Sequence, residues 1–276
     1  MRFPLIAAAV LCAAPAMAQD RWMTIPAAAD LPAPVSEGMA AVNGIEMHYA
    51  TFGAGDPVLL IHGGLGHADL WAAQVADLMA DHLVIIADSR GHGRSTRTAD
   101  AFGYALMAQD YVALLDYLKI DKVDLVGWSD GGIIGLDIAM THPERLDHLF
   151  AHAANITTDG VDPSVATDEV FGAYIGAMMA AYSRLSPTAD QFDGFVAQIS
   201  EMWATQPTWT DAQVAAIAVP VAVVVGEYDE AILREHTEKI AGLIPGAELV
   251  ILPGVSHFAM LQAPAEYNAA IRAFID

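Results

Sequence analysis

Short apolar runs alternate with helix-length stretches along most of this 276-residue chain. The apolar runs lie at residues 57–61, 83–87, 123–126, 146–151, 221–225 and 249–252, and residues 45–52 follow the turn pair Asn43-Gly44, a hairpin signal. The intervening helix-length stretches lie at residues 68–80, 106–118, 131–141, 232–243 and 265–275. Continuous apolar runs of this length are typical of parallel strands that are buried on both faces. The alternation therefore predicts an α/β fold with a mostly parallel central sheet and helices on both faces.

One long segment departs from this alternation. Residues 156–211 show no strand pattern and are rich in aromatic and methionine side chains, namely Phe171, Tyr174, Met178, Met179, Tyr182, Phe192, Phe195, Met202, Trp203 and Trp209. We predict a helical cap here, inserted into a core of residues 41–155 and 212–276, because the segment lies between a strand and the next strand-end loop. An ordinary helical layer of the core is the alternative.

The first residues have the pattern of an export signal. Arg2 supplies the positive start, residues 5–14 form a short apolar stretch, and an Ala-Met-Ala cleavage signature ends it. We predict a signal peptide at residues 1–18, an N-terminal extension at residues 19–40, and export to a bacterial periplasm or the medium. The only cysteine, Cys12, lies in that signal, so the mature chain has neither a disulfide framework nor a thiolate metal site.

Composition excludes several classes of partner. The chain has 34 acidic and 12 basic side chains and a net charge of −22, which repels phosphate backbones and argues against nucleic-acid binding. Hydrophobic residues make up 55% and charged residues 17%, which predicts a large core rather than disorder. Because no uncharged run reaches 18 residues, we expect no membrane span.

A Gly-x-Ser-x-Gly pattern, Gly127-Trp128-Ser129-Asp130-Gly131, follows one of the apolar runs and opens a helix. The glycines permit a tight strand-to-helix turn in which larger side chains would clash, and the turn pushes the serine hydroxyl out of the sheet edge. The free N–H groups and positive end of the helix point to the same place. The pattern predicts a nucleophile at Ser129.

A nucleophilic serine needs a general base, and the base needs an orienting acid. His257 lies in the loop after the last apolar run, and Asp229 follows the run before it. Glu227 and Glu230 are rival acids, but the strand-end position favours Asp229. We therefore predict that Ser129, Asp229 and His257 form a catalytic triad. An ordinary helix N-cap is the alternative role for Asp229.

The same chemistry requires two backbone N–H donors for the oxyanion. The N–H of Asp130 follows the nucleophile directly, and the loop that begins at His62 supplies the other. Glycine lets that loop approach the oxyanion closely, so Gly64 is the preferred donor and Leu65 the fallback. We expect His62 to brace the loop rather than act as a base. Candidate residues of the substrate pocket are Leu65, Trp128, Met178, Trp203 and Phe258.

Other polar motifs indicate structural roles rather than metal or cofactor binding. His148 and His152 lie on or beside a strand with no third ligand, so we predict no metal site. Residues 63–66 lack the Lys-Ser/Thr ending of a phosphate-binding loop, and we predict no cofactor. Asp88 and Arg90 are expected to fix a loop through hydrogen bonds and a salt bridge.

Residues 41–276 resemble the α/β-hydrolase superfamily, in the branch that carries a helical cap. The resemblance rests on His62-Gly63-Gly64, Asp88-Ser89-Arg90-Gly91-His92-Gly93-Arg94-Ser95, Gly127-Trp128-Ser129-Asp130-Gly131-Gly132, His142-Pro143-Glu144-Arg145 and Gly254-Val255-Ser256-His257. The order serine, acid, histidine is also that of the superfamily. The resemblance implies the α/β-hydrolase fold and a cofactor-free hydrolase that forms an acyl-enzyme on Ser129.

The residues of the Ser129 turn distinguish branches of that superfamily. Haloalkane dehalogenases and epoxide hydrolases place an aspartate at the nucleophile position, so Ser129 argues against both. The turn is similar to that of valacyclovir-hydrolase-like proteins, in which the acidic residue after the serine implies contact with a substrate amino group. Carried over to Asp130, this resemblance implies a preference for α-amino esters.

We expect hydrolysis of a small or medium carboxylic ester through an acyl-enzyme. Lactone opening, cleavage of α-amino-acid esters or amides, cofactor-free perhydrolysis and, less readily, carbon–carbon bond hydrolysis use the same triad and stay open. A non-catalytic ligand-binding protein is an alternative of a different class. An intact triad argues against it, because a binding protein needs none of the three catalytic roles.

Overall fold

The computed structural model describes residues 20–276, so the predicted signal peptide and Cys12 lie outside the described residues. Its strands are β1 (Ser36–Val42), β2 (Ile45–Gly53), β3 (Asp56–Ile61), β4 (His82–Ala87), β5 (Val123–Trp128), β6 (Leu146–His152), β7 (Val221–Gly226) and β8 (Glu248–Leu252). Its α-helices are α1 (Ala72–Leu78), α2 (Tyr104–Leu118), α3 (Asp130–Thr141), α4 (Glu169–Leu185), α5 (Phe192–Thr205), α6 (Asp211–Val214), α7 (Arg234–Leu243), α8 (Ala259–Gln262) and α9 (Pro264–Ile275). Within residues 20–276, no helix is both long and apolar enough to cross a bilayer.

The eight strands form one sheet in the order β1-β2-β4-β3-β5-β6-β7-β8. β2 pairs antiparallel with β1 and β4, and the other neighbours pair parallel. Every residue of β5 is buried, which shows that both faces of the sheet centre are covered. The mostly parallel sheet with helices on both faces confirms the fold class predicted from the alternating pattern.

The sequence signals a hairpin at Asn43-Gly44 but gives no bounds for its first strand. β1 begins at Ser36, inside the stretch predicted as an N-terminal extension, and pairs with β2 through the turn Asn43-Gly44. Both turn residues have positive φ, 42° and 80°, which matches the turn type that suits a two-residue hairpin. β1 lies at the sheet edge and is mostly exposed, so it needs no continuous apolar run and gives little signal in the sequence.

The segment before β1 lies against the loop that precedes α8. The guanidinium of Arg21 donates to the carbonyl oxygens of Gly254 and Pro253, at 2.9 and 2.7 Å. The side-chain amide of Gln262 donates to the carbonyl oxygens of Trp22 and Thr24. These contacts anchor the N-terminal segment beside the part of the chain that carries the predicted histidine.

Helices occupy the chain between β6 and β7. The rings of Tyr182 on α4 and Phe195 on α5 stack with centroids 4.9 Å apart, so the two helices pack on each other. Phe195 also contacts the ring of His92, at 4.7 Å, in a loop of the sheet region. α5 thus rests on the loops at the carboxyl ends of the strands, because His92 follows β4.

A buried ion pair joins the loop after β4 to α2. Arg90 donates two hydrogen bonds to the carboxylate of Asp110, at 2.8 and 2.7 Å, and their side chains are 4% and 1% exposed. Asp88, which the sequence grouped with Arg90, instead accepts hydrogen bonds from the N–H groups of Ala68 and Arg94. The expected loop-fixing roles are therefore present, but each residue has its own partners.

We predict that Asp110→Ala lowers the free energy of unfolding by about 3–5 kcal/mol, because it leaves the Arg90 guanidinium buried without its counter-charge. Urea unfolding followed by circular dichroism measures this. Asp147→Ala is the matched control, since Asp147 pairs with Lys122 at the surface, and it should cost less than about 1 kcal/mol. Equal effects of the two substitutions would contradict this account of the buried pair.

Candidate active site

Ser129 occupies a sharp turn between β5 and α3. Its φ of 54° and ψ of −119° lie outside the regions that ordinary residues prefer. A Cβ atom on Gly127 would overlap the carbonyl of Gly131, and one on Gly131 would overlap the carbonyl of Ile61. Because these glycines allow such close packing, the strained turn is held in place, and Ser129 stays partly exposed beside buried neighbours.

Asp229 and His257 are in direct contact. The Nδ1 atom of His257 lies 3.1 Å from each carboxylate oxygen of Asp229, and both side chains are 2% exposed. One of these oxygens also accepts hydrogen bonds from the N–H groups of Ala231 and Ile232, at 2.9 and 2.8 Å. Asp229 therefore caps its own turn and binds the imidazole at the same time.

The electrostatics of the Asp229–His257 pair favour protonation of His257. Burial is the largest single influence and lowers the pKa of His257, but the carboxylates of Asp229, Glu230 and Asp130 together raise the net pKa above the ordinary 6.5. Burial is the largest single influence and raises the pKa of Asp229, but His257, the backbone N–H of Ile232 and His152 together lower the net pKa. An ionised Asp229 accepts the Nδ1 proton, so the Nε2 atom of His257 carries the free lone pair.

The residue that precedes Ser129 packs beside His257. The indole ring of Trp128, which directly precedes Ser129, lies 5.6 Å from the His257 ring. Within residues 20–276, the Ser129 hydroxyl makes no hydrogen bond to a side chain or to the backbone. The structure thus joins the acid to the base and places the serine nearby. Hydrogen bonds of this kind often shorten only when substrate binds.

The loop after β3 presents free N–H groups beside Ser129. The carbonyl of Gly63 accepts hydrogen bonds from the His62 ring, at 2.7 Å, and from the N–H of Gly66, at 3.1 Å. Because C=O and N–H point oppositely across a trans peptide, the N–H of Gly64 points away from those partners. Among the described hydrogen bonds, neither Gly64 nor Asp130 donates its N–H, so both donors are available.

His62 braces this loop and is unsuited to act as a base. Its Nε2 atom accepts the N–H of Ser89 at 3.0 Å, so Nδ1 must carry the proton that is donated to Gly63. Burial lowers its pKa to about 4. His62 is therefore neutral at physiological pH, with both ring nitrogens engaged.

The carboxylate of Asp130 is engaged within the protein. It accepts a hydrogen bond from the Tyr104 hydroxyl at 2.9 Å and from the Trp203 indole N–H at 2.9 and 3.0 Å. Burial raises its pKa to about 6, which the two donors offset in part. The contact with a substrate ammonium that the sequence resemblance implied for Asp130 stays a prediction. Two donors of the chain already bind this carboxylate.

The five predicted pocket residues lie in four places. Trp128 and Phe258 are buried in an aromatic cluster with His257, and Leu65 is buried in the loop after β3. Met178 lines a cavity of about 490 Å³ between α4 and the N-terminal segment, together with Tyr174 and others. Trp203 contacts Asp130, as described above. The structure brings four of the five close to the predicted triad or its N–H donors, with Met178 one side chain further out.

Sequence reasoning missed three contributors to the site. The Tyr174 hydroxyl donates to the carbonyl of Gly64 at 2.8 Å, and Tyr104 donates to Asp130. Glu230, weighed only as a rival acid, accepts the backbone N–H of His257 at 3.1 Å. The aromatic richness of residues 156–211 was visible, but its pairing with a glycine 110 positions away was not.

The described residues offer no cluster suited to a metal. Among residues 20–276, no group of three or more His, Cys, Asp and Glu side chains converges as a metal site would require. His148 lies 2.7 Å from the Asp124 carboxylate, and His152 lies 3.2 Å from the Tyr267 hydroxyl. Both histidines therefore have structural partners.

Comparison with known proteins agrees with this geometry. The model of the α/β hydrolase fold family matches residues 56–178. The human serine hydrolase BPHL is 29% identical over 87% of this chain and 87% of its own length. RutD of Caulobacter sp. (strain K31), whose name assigns it as a carbamate hydrolase, is 28% identical over 83% of this chain and 94% of its own length.

A solved structure extends the likeness to three dimensions. Est816, described as an N-acyl homoserine lactone degrading enzyme, has a TM-score of 0.69 and 27% identity over 86% of this chain and 100% of its own. The order of the strands, the strained turn at Ser129 and the similar proteins all indicate the same fold. This chain has the α/β-hydrolase fold and is similar over most of its length to hydrolases of that fold.

Proposed function

We propose that this protein is a serine hydrolase that cleaves a carboxylic ester of a small or medium substrate through an acyl-enzyme on Ser129. The observation that carries the proposal is the buried Asp229–His257 pair at the strand ends, beside the strained turn of Ser129. The likeness to the serine hydrolase BPHL supports the same chemistry.

In the first half of the reaction, the Nε2 atom of His257 takes the proton from the Ser129 hydroxyl as its oxygen attacks the ester carbonyl carbon. The carbonyl oxygen gains negative charge and accepts hydrogen bonds from the N–H groups of Gly64 and Asp130. His257 then gives its proton to the departing alcohol, and the C–O bond of the ester breaks.

In the second half, water loses a proton to His257 and attacks the acyl carbon. The same two N–H groups stabilise the second oxyanion. Breaking the acyl bond returns the proton to Ser129 and releases the carboxylic acid. Throughout, Asp229 holds the imidazole in one tautomer and stabilises its charged form.

The space around the cap supports a substrate of modest size. The cavity beside α4 has a volume of about 490 Å³, within the range of small-molecule sites, and much of its lining is apolar. Tyr174 borders this cavity and also contacts the Gly64 loop, so the cavity lies one side chain from the N–H donors. We infer that the cavity receives an apolar part of the substrate.

A lactone is the second candidate substrate, supported by the structural likeness to Est816. A lactone is a cyclic ester, so the same attack opens it and leaves the alcohol attached to the acyl group. The α-amino ester has less support, because Tyr104 and Trp203 already bind the Asp130 carboxylate. A purely ligand-binding role has no use for the paired acid and base.

We predict that Ser129→Ala lowers turnover of p-nitrophenyl acetate by about 10⁴-fold or more, because no nucleophile remains. The measurement is release of p-nitrophenolate under initial-rate conditions. Ser183→Ala is the control, since Ser183 lies exposed on α4 and donates only to the carbonyl of Met179. A folded Ser129→Ala protein that retains wild-type turnover would refute the assignment.

The pH dependence tests the roles of the acid and base. His257 acts as a base only when neutral, and its pKa is raised, so kcat/KM should rise with pH through a midpoint above 6.5. Asp229→Asn removes the charge that raises this pKa, so the midpoint should move to lower pH while the plateau falls about 10³- to 10⁴-fold. An unchanged midpoint and plateau in Asp229→Asn would rule out the pairing as the source of activity.

We also propose that residues 1–18 direct export and are removed. Their charge, apolar stretch and small-residue ending support cleavage after Ala18. Expression in a Gram-negative host should yield periplasmic protein whose amino terminus is Gln19, as read by mass spectrometry of the intact chain. Recovery of the native protein with Met1 in place would show that this segment is not cleaved.

A further inference from the structure

Both residues that would supply oxyanion N–H donors are tied to the helices above them by a cap aromatic residue. Tyr174, on α4, donates its hydroxyl to the carbonyl of Gly64 at 2.8 Å. Trp203, on α5, donates its indole N–H to the carboxylate of Asp130 at 2.9 and 3.0 Å. The two tethers come from different helices and hold two different residues, Gly64 and Asp130.

The Tyr174 hydroxyl and the Asp130 carboxylate are buried, and Trp203 is partly exposed. Tyr174 and Asp130 are 2% and 5% exposed. The Tyr104 hydroxyl is a third donor to this site and fixes the Asp130 carboxylate from α2. A buried hydrogen bond is costly to break without replacement, so the aromatic donors restrict the carboxylate and the loop to one arrangement.

The Gly64 loop also rests directly on the cap. A Cβ atom at Gly64 would overlap the Trp203 indole and lie 2.6 Å from Oδ2 of Asp130. The loop, the indole and the carboxylate therefore meet with no spare volume. A shift of α5 away from the core would remove the support of Gly64 and the donor of Asp130 together.

The direction of the loop N–H groups follows from the carbonyl partners. His62 and Gly66 hold the carbonyl of Gly63, and Tyr174 holds the carbonyl of Gly64. A planar trans peptide fixes the N–H of the following residue opposite the carbonyl. His62 and Gly66 therefore set the N–H direction of Gly64, and Tyr174 sets that of Leu65, the fallback donor. Of the three residues that hold these carbonyls, Tyr174 is the one that lies on a cap helix.

We propose that Tyr174 and Trp203 are positioning residues for the oxyanion donors. Tyr174 holds the Gly64–Leu65 peptide and with it the loop that carries the Gly64 N–H, and Trp203 holds Asp130, so that the seated cap completes the catalytic site. This rests on the proposed function, since the N–H groups matter only if Ser129 attacks a carbonyl. Charge on the oxyanion develops in the transition state and not in the bound ester. Misaligned donors therefore lower kcat and leave ground-state binding nearly intact.

The test uses Tyr174→Phe and Trp203→Phe, which remove each donor and keep an aromatic ring. With p-nitrophenyl acetate, kcat should fall about 10- to 100-fold in each variant, while KM stays within about twofold. Affinity for an arylboronic acid, which forms a tetrahedral adduct with the serine, should fall by the same factor as kcat. A structural defect elsewhere in the cap would not couple these two readouts.

Tyr182→Phe and Trp209→Phe are the matched controls. Tyr182 lies on the same helix as Tyr174, but its hydroxyl contacts Thr188 at 2.6 Å, away from the loop. Trp209 lies in the segment after α5 and has no indole contact with Asp130. Both controls should retain wild-type kcat and boronate affinity. Thermal unfolding monitors the fold, and Trp203→Phe carries the test independently of the Tyr174 variant.

The outcomes separate this proposal from the proposed function. Wild-type protein with no Ser129-dependent turnover would refute the hydrolase assignment, and the positioning roles with it. Active wild-type protein whose Tyr174 and Trp203 variants match the controls would overturn the positioning roles alone. A rise in KM with unchanged kcat would also overturn them, because it would show that the two side chains merely line the substrate pocket.

Discussion

The strained backbone at Ser129 is the constraint on which the rest of the site depends. A residue with φ of 54° and ψ of −119° persists only where its surroundings permit no relaxation. Here two glycines bring the turn against the backbone of Gly131 and Ile61 so closely that no side chain fits. The packing of the parallel sheet thereby holds the serine at the strand ends.

Parallel strands explain why distant parts of the chain meet at that edge. β5, β7 and β8 run in the same direction, so the residues that follow them share the carboxyl edge of the sheet. Asp229 and His257, 28 positions apart, thus form a buried contact near Ser129. The cap helices add hydrogen bonds to the same edge, which links the acid–base pair, the serine turn and the cap in one packed unit.

The sequence allowed the central sheet, its helices and the acid–base contact to be predicted, because buried parallel strands leave continuous apolar runs that end at polar residues. The turn Asn43-Gly44 signalled a hairpin, but the bounds of β1 were missed because an edge strand buries few side chains and carries little periodicity. The Trp203–Asp130 bond joins residues 73 positions apart, and no local pattern specifies which cap residue reaches the turn. The acid at Asp130 was visible, but its partners depend on tertiary packing.

The most direct test of a nucleophilic Ser129 is covalent labelling with a fluorophosphonate, which reacts with serine hydroxyls activated by a neighbouring base. The labelled protein is digested, and the modified peptide is identified by tandem mass spectrometry. The account predicts one modified residue, Ser129, and labelling that slows sharply in Asp229→Asn. A folded protein that stays unlabelled at Ser129, or that is labelled equally fast without the Asp229 carboxylate, would contradict it.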